Sequence, residues 1–133
     1  MEKQVKMWSV GHSNRSITEF IDLLKSADIQ TVIDVRTKPR SRFWWFGGSS
    51  LNKSLAENDM RYEWRGLNIG GLTGNVNYDE TLDELVERAT TGERIALLCS
   101  EGKPQDCHRG TELTPGLEAR SITVEHLLYG RSV

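Results

Sequence analysis

Lys6-Met7-Trp8-Ser9-Val10-Gly11-His12-Ser13-Asn14-Arg15-Ser16-Ile17-Thr18-Glu19-Phe20-Ile21-Asp22-Leu23-Leu24 decides the fold. Lys6 to Val10 reads as a first strand, and the polar run GHSNR follows it directly. Ser16 and Glu19 have the S-x-x-E spacing of a capping box, in which each residue satisfies an unpaired N–H of the other. Behind that cap Ile17, Phe20, Ile21 and Leu24 recur at helical spacing. A strand running through a polar loop into a capped amphipathic helix is the opening half of a β-α-β unit.

The same pattern continues along the chain. Gln30 to Val35 (QTVIDV) is a β-branched run of strand length, closed by the polar TKPRSR. Ser49 or Ser50 can cap a short helix carrying Leu51 and Leu55, and Met60 to Trp64 reads as a third strand. From Arg65 to Asn77 there are four glycines and no periodicity, which marks either a functional loop or a plain surface connection. A second helix follows, with Asn77 and Glu80 as its cap and Leu82, Leu85, Val86 and Ala89 as its stripe. Ile95 to Cys99 is a fourth strand. Cys107 to Arg120 is read as helical, broken or restarted at Pro115, with Thr114 as the cap of the restart. Ile122 to Leu127 is a fifth strand. The expectation is therefore one α/β domain over residues 1–133. It would be Rossmann-like or flavodoxin-like, with a mostly parallel sheet of about five strands and helices on both faces.

Composition narrows the function classes. The 133 residues are enough for one core, and 37% hydrophobic with 27% charged is ordinary soluble composition. No window approaches the ~18 apolar residues of a membrane span, and MEKQVKMWSV lacks a signal-peptide core, so a cytoplasmic protein without membrane contact is expected. Two cysteines, Cys99 and Cys107, are fewer than a disulfide-stapled domain of this size carries, which favours reduced thiols. The net charge of −2 excludes a generally basic nucleic-acid coat, so any such binding must be local. Arg36, Lys38, Arg40 and Arg42 fall on alternate positions; if the stretch is extended, all four share one side.

In doubly wound sheets ligands bind beyond the carboxyl ends of the strands. Three polar segments fall there: Gly11 to Arg15, Asp34 to Arg42, and Cys99 to Arg109. They would gather His12, Asn14, Arg15, Asp34, Arg36, Cys99, Glu101, Cys107, His108 and Arg109 at one edge. Helix starts near Ser16 and Cys107 would add N–H donors, so an anionic ligand is expected.

GHSNRS, IDVRTKPRSR, a Gly-Gly after the third strand and CSEGKPQDCHR resemble, in this order, the domain-of-unknown-function 488 family. The matching positions are Gly11, His12, Ser13, Asn14, Asp34, Arg36, Pro39, Arg40, Gly70, Gly71, Cys99, Cys107, His108 and Arg109. The resemblance implies a small α/β domain and brings no settled reaction. The chain departs from the pattern at FWWFGG (Phe43 to Gly48), usually polar, and at GTELTPG after Arg109, where the helix is usually uninterrupted.

Each group has a plain alternative beside its chemical one. His12 either serves a ligand or bonds across its loop. Asp34 either activates water or holds Arg36 or a loop amide, since a carboxylate at a buried strand end needs a partner. Arg109 either binds an anion or pairs with Glu101 or Asp106. Phe43 to Phe46 is a partner or homo-oligomer surface, a lid packed on the core, or a platform for stacking bases. Cys99 sits where rhodanese-like domains carry sulfur, yet Glu101 opposes a thiolate there. A metal held by Cys99, Cys107, His108 and His12 does not match the usual zinc spacings, and neither metal nor cofactor is expected.

The leading expectation is an enzyme acting on a phosphate-bearing nucleotide or nucleic acid by hydrolysis or glycosidic cleavage. Its catalytic candidates are His12, Asp34, Glu101, Cys99 and His108. Its substrate-binding candidates are Ser13, Asn14, Arg15, Arg36, Arg40, Arg42, Trp44, Trp45 and Arg109. The alternatives are sulfur transfer at Cys99, and a binding module without turnover for nucleic acid or protein.

Overall fold

The computed structural model describes residues 5–70, 75–100 and 112–129. Its strands are β1 (Val5–Gly11), β2 (Thr31–Asp34), β3 (Arg61–Trp64), β4 (Ile95–Cys99) and β5 (Ile122–Leu127). Its helices are α1 (Ile17–Ser26), α2 (Gly48–Ala56), α3 (Gly66–Ile69), α4 (Tyr78–Thr90) and α5 (Thr114–Glu118), with a 3₁₀ turn at Trp44–Phe46. The five strands form one sheet in the order β3-β2-β4-β1-β5, and every pair is parallel. This is the doubly wound α/β architecture that the alternating pattern predicts.

Burial follows position in the sheet. β2 and β4 are central and buried along their whole length, which is why TVID and IALLC read as near-continuous apolar runs. β5 lies at an edge and alternates. Successive strand residues feed opposite faces, as the two-residue period requires. Trp8, Val10, Val32, Ala96 and Leu98 pack with Phe20, Ile21 and Leu24 of α1 and Leu51 and Leu55 of α2. Met7, Ile33, Val35, Ile95 and Leu97 pack with Leu82, Leu85 and Ala89 of α4 and Leu117 of α5.

α1 forms its capping box, with the Glu19 N–H donating to Ser16 Oγ and the Ser16 N–H to Glu19 Oε1, both at 3.1 Å. Those donors are consequently spent within the chain, which removes part of the expected anion site near Ser16. Three expected caps are not formed. α2 begins at Gly48, ahead of both Ser49 and Ser50, behind Gly47 and without a side-chain cap. Asn77 precedes α4 in a left-handed conformation (φ 54°), where its side chain makes no cap bond. At α5 Leu113 takes the capping position and Thr114 is already helical. The glycine-rich connection contains the four-residue α3, and Gly71 lies outside the described residues.

β1 and β2 send their connections towards the β3 edge, whereas β4 sends its own back towards β5. The opposed connections leave a crevice at the carboxyl ends of β1 and β4, between Gly11 and Cys99, which are in register.

Candidate functional site

Beyond the strand ends the pairing continues: His12 N–H donates to Cys99 O at 3.0 Å, and Ser13 N–H to Ser100 O at 2.9 Å. The loop then turns with Ser13 in the left-handed region (φ 51°). Tyr129, two residues past β5, donates its hydroxyl to Gly11 O at 2.8 Å and fixes this loop from the other side. The result is a cavity of about 410 Å³, lined by His12, Ser13 and Asn14 after β1, by Ser41, Arg42 and Phe43 after β2, and by Ser100 after β4. That volume lies in the range of small-ligand sites.

His12 is 3% exposed, and its ring lies on that of Phe46 with centroids 4.3 Å apart and planes 13° from parallel. Its Nδ1 is 2.8 Å from the Ser13 carbonyl oxygen. A carbonyl only accepts, so Nδ1 carries the proton and Nε2 carries a lone pair. Nε2 is buried and has no hydrogen-bond partner among the described residues. Burial holds the His12 pKa below its ordinary value, and the Arg36 charge acts in the same sense; the Ser13 carbonyl and Asp34 oppose them. The imidazole is thus neutral near pH 7, with its acceptor nitrogen unspent among the described residues.

Asp34 and Arg36 are buried against each other. Arg36 Nε donates to Asp34 Oδ1 at 2.8 Å and Nη2 to Oδ2 at 2.7 Å. The Arg36 amide adds a bond to Oδ1 at 3.0 Å, and the Tyr62 hydroxyl one to Oδ2 at 2.6 Å. Burial and the Asp34 carboxylate together push the Tyr62 pKa up. Arg36 Nη1 reaches the Phe46 carbonyl at 2.7 Å. With both oxygens of Asp34 and all three guanidinium nitrogens of Arg36 engaged, the pair shapes the 36–46 loop. Trp64 Nε1 donates to Arg36 O at 2.7 Å from the end of β3.

The remaining candidates divide. Among the cavity-lining residues are Ser13, Asn14 and Arg42; Arg15 instead lies over the Tyr129 ring, 4.6 Å from its centroid, with Nη1 3.3 Å from Glu19 Oε2. In the aromatic run Phe46 is fully buried, Trp45 is partly buried and donates Nε1–H to Arg15 O at 3.0 Å, and Trp44 is 74% exposed. Of the expected basic strip, Lys38, Arg40 and Arg42 are exposed while Arg36 turns inward to Asp34. The stretch forms no strand; a tight turn at Pro39 brings Arg40 N–H to Lys38 O at 2.8 Å. Cys99 is 4% exposed and disulfide-bonded, its partner lying outside the described residues. This corrects the expectation of reduced thiols, because a low cysteine count does not exclude a single pairing. Glu101, Cys107, His108 and Arg109 lie outside the described residues. Among the described residues no three His, Cys, Asp or Glu side chains are grouped to hold a metal, and no helix is long and apolar enough to cross a membrane.

Sequence reasoning missed Tyr62, Trp64, Ser41, Ser100 and Tyr129. Tyr62 and Trp64 look like edge-strand residues, and nothing in their spacing indicates that they close on the β2 loop.

Residues 16–77 match the family model described as Domain of unknown function DUF488, in agreement with the motif resemblance. Neither the curated proteins nor the solved structures provide a match.

Proposed function

We propose that the cavity binds the phosphate-bearing part of a nucleotide or nucleic acid and hydrolyses it; the family model that matches residues 16–77 names no reaction. His12 is the general base. The observation that carries this reading is the His12 Nε2 lone pair, buried at a polar cavity and without a partner among the described residues. An imidazole oriented through Nδ1–H and kept neutral by burial is suited to take a proton from water. The Arg42 guanidinium, the Ser13, Ser41 and Ser100 hydroxyls and the Asn14 amide are the anion contacts this cavity offers.

Hydrolysis at phosphorus is favoured over glycosidic cleavage by the state of Asp34. Glycosidic cleavage ordinarily uses a pair of free carboxyl groups, and both oxygens of Asp34 are already committed. In the proposed step the water proton passes to His12 Nε2, the water oxygen bonds to phosphorus, and the leaving oxygen departs with a proton returned by the imidazolium. A positioned base of this kind contributes about 10²–10⁴ in rate.

The test is a panel of nucleoside mono-, di- and triphosphates, cyclic nucleotides and short DNA and RNA, followed by phosphate or product release. His12→Gln is expected to lower turnover by about 10²–10⁴ with an unchanged circular dichroism spectrum. Turnover preserved in His12→Gln, or none with any member of the panel, defeats the proposal.

A further inference from the structure

We infer that the ligand of this cavity is a single-stranded nucleic-acid chain, held along an exposed ridge running from Lys38 to Trp44. The inference rests on the phosphate-site reading above and extends it from one nucleotide unit to a polymer.

The first ground is charge. From Val35 to Ala56 the chain has no Asp or Glu and has five cations, Arg36, Lys38, Arg40, Arg42 and Lys53, within a protein of net charge −2. Arg36 is spent on Asp34. Lys38, Arg40 and Arg42 make no ion pair among the described residues. Exposed cations without counter-charges are the groups that neutralise phosphates and release their counterions.

The second ground is arrangement. Exposure alternates along this segment: Lys38, Arg40, Arg42 and Trp44 are exposed, while Thr37, Pro39, Ser41, Phe43 and Trp45 are partly buried. The pattern is held from beneath. Gly48 N–H donates to Pro39 O at 2.9 Å, Phe43 N–H to Ser41 Oγ at 3.1 Å, and Arg36 Nη1 to Phe46 O at 2.7 Å. The ridge is therefore formed before any ligand arrives, which lowers the entropic cost of binding.

The third ground is continuity. Arg42 belongs to the ridge and also lines the His12 cavity, so a chain lying along the ridge leads into that cavity. A single nucleotide in the cavity has no use for Lys38 and Arg40, whereas a strand carries a phosphate for each. Trp44, 74% exposed and meeting Trp45 edge to face at 5.8 Å, offers its indole for base stacking. Stacking on a protein ring needs an unpaired base, which selects single strands over duplex. An anionic membrane would also accept cations and a tryptophan, but it has no counterpart for a concave cavity at the end of the ridge.

The experiment measures fluorescence anisotropy of labelled single-stranded DNA and RNA of about 16 nucleotides, a length at the upper end of the sites of single-strand-binding OB folds. The same sequence as duplex and vesicles of phosphatidylserine and phosphatidylcholine are run beside them over a salt series. Single strands are expected to bind most tightly, with log affinity falling linearly with log salt. Lys38→Gln and Arg40→Gln should each reduce that slope by about 0.7. Trp44→Ala should weaken binding roughly 5- to 150-fold with the slope unchanged. No single-strand binding, preference for duplex or vesicles, or wild-type affinity in all three variants overturns the inference. Because none of the three residues lines the cavity, hydrolysis of a mononucleotide is read separately. Ridge-dependent strand binding without turnover sinks only the catalytic reading, and turnover without strand binding sinks only this one.

Discussion

The imidazole of His12 lies flat on the ring of Phe46, 4.3 Å between centroids, and Phe46 is in turn held through its carbonyl by Arg36 at 2.7 Å. The β1 and β2 loops, 34 positions apart at these two rings, thus meet as one unit. Phe46→Leu removes the ring face but keeps a buried apolar side chain. It is expected to cost about 1–2 kcal/mol in chemical denaturation. As the cover over Nε2 loosens, the His12 resonances should titrate closer to the ordinary histidine value, read by proton NMR.

Arg36 and Asp34 form the only buried ion pair among the described residues, with side chains 5% and 0% exposed. Arg36→Met leaves a carboxylate without its charge partner, and about 3–5 kcal/mol of stability should be lost. Adding Asp34→Asn should recover part of that loss, so the double-mutant cycle shows a coupling well outside additivity. Strict additivity in urea denaturation would contradict the clamp.

Gly66 accommodates the Arg36 backbone. A methyl group in place of its hydrogen would sit 2.0 Å from the Arg36 carbonyl oxygen and 2.5 Å from Trp64 Nε1. Gly66→Ala should destabilise by at least the roughly 1–3 kcal/mol of overpacking. Gly92→Ala is the contrasting case: nothing lies within 4 Å of the added methyl, and only the positive φ of 108° opposes it. Thermal melts of the two variants separate crowding from backbone strain.

Depressed pKa values set the acid side of the stability profile, that of His12 and those of the carboxylates Glu19, Glu63 and Glu93. His12 is held low by burial, so its contribution to stability is complete above the unfolded value near 6.5 and declines as pH falls through the folded one. Glu93 is held at about 2, chiefly by Arg88. Its contribution is complete above the unfolded value near 4.5 and disappears as pH falls towards 2. Denaturation midpoints between pH 7 and pH 3 should fall in two steps, with His12→Gln removing the upper step and Glu93→Gln reducing the lower, to which Glu63 also contributes through Arg88. If His12 is the base, turnover rises with pH through the same lowered value and is flat at neutral pH.

Periodicity and cap chemistry were enough to read α1, with Ser16 and Glu19 in their box and Phe20, Ile21 and Leu24 inward. They were also enough for the five parallel strands, because a buried central strand must be apolar along its length and an edge strand need not be. The same pattern placed the His12 loop at the carboxyl end of β1 next to the connection that leaves β4. These are consequences of local spacing, and local spacing is written in the chain. What spacing does not contain is the choice among several hydrogen-bonding partners that long-range packing brings within reach. Asp34 was open to water or to Arg36, and only the tertiary structure, by burying the pair and adding Tyr62 from an edge strand, decided for Arg36. Phe43 to Phe46 was open to three readings. A 3₁₀ turn separated its members, sending Phe46 under His12 and Trp44 out to solvent. Isolated sequence cannot rank such outcomes, since each depends on the low dielectric and the exact complement of donors found only once the sheet has closed over them.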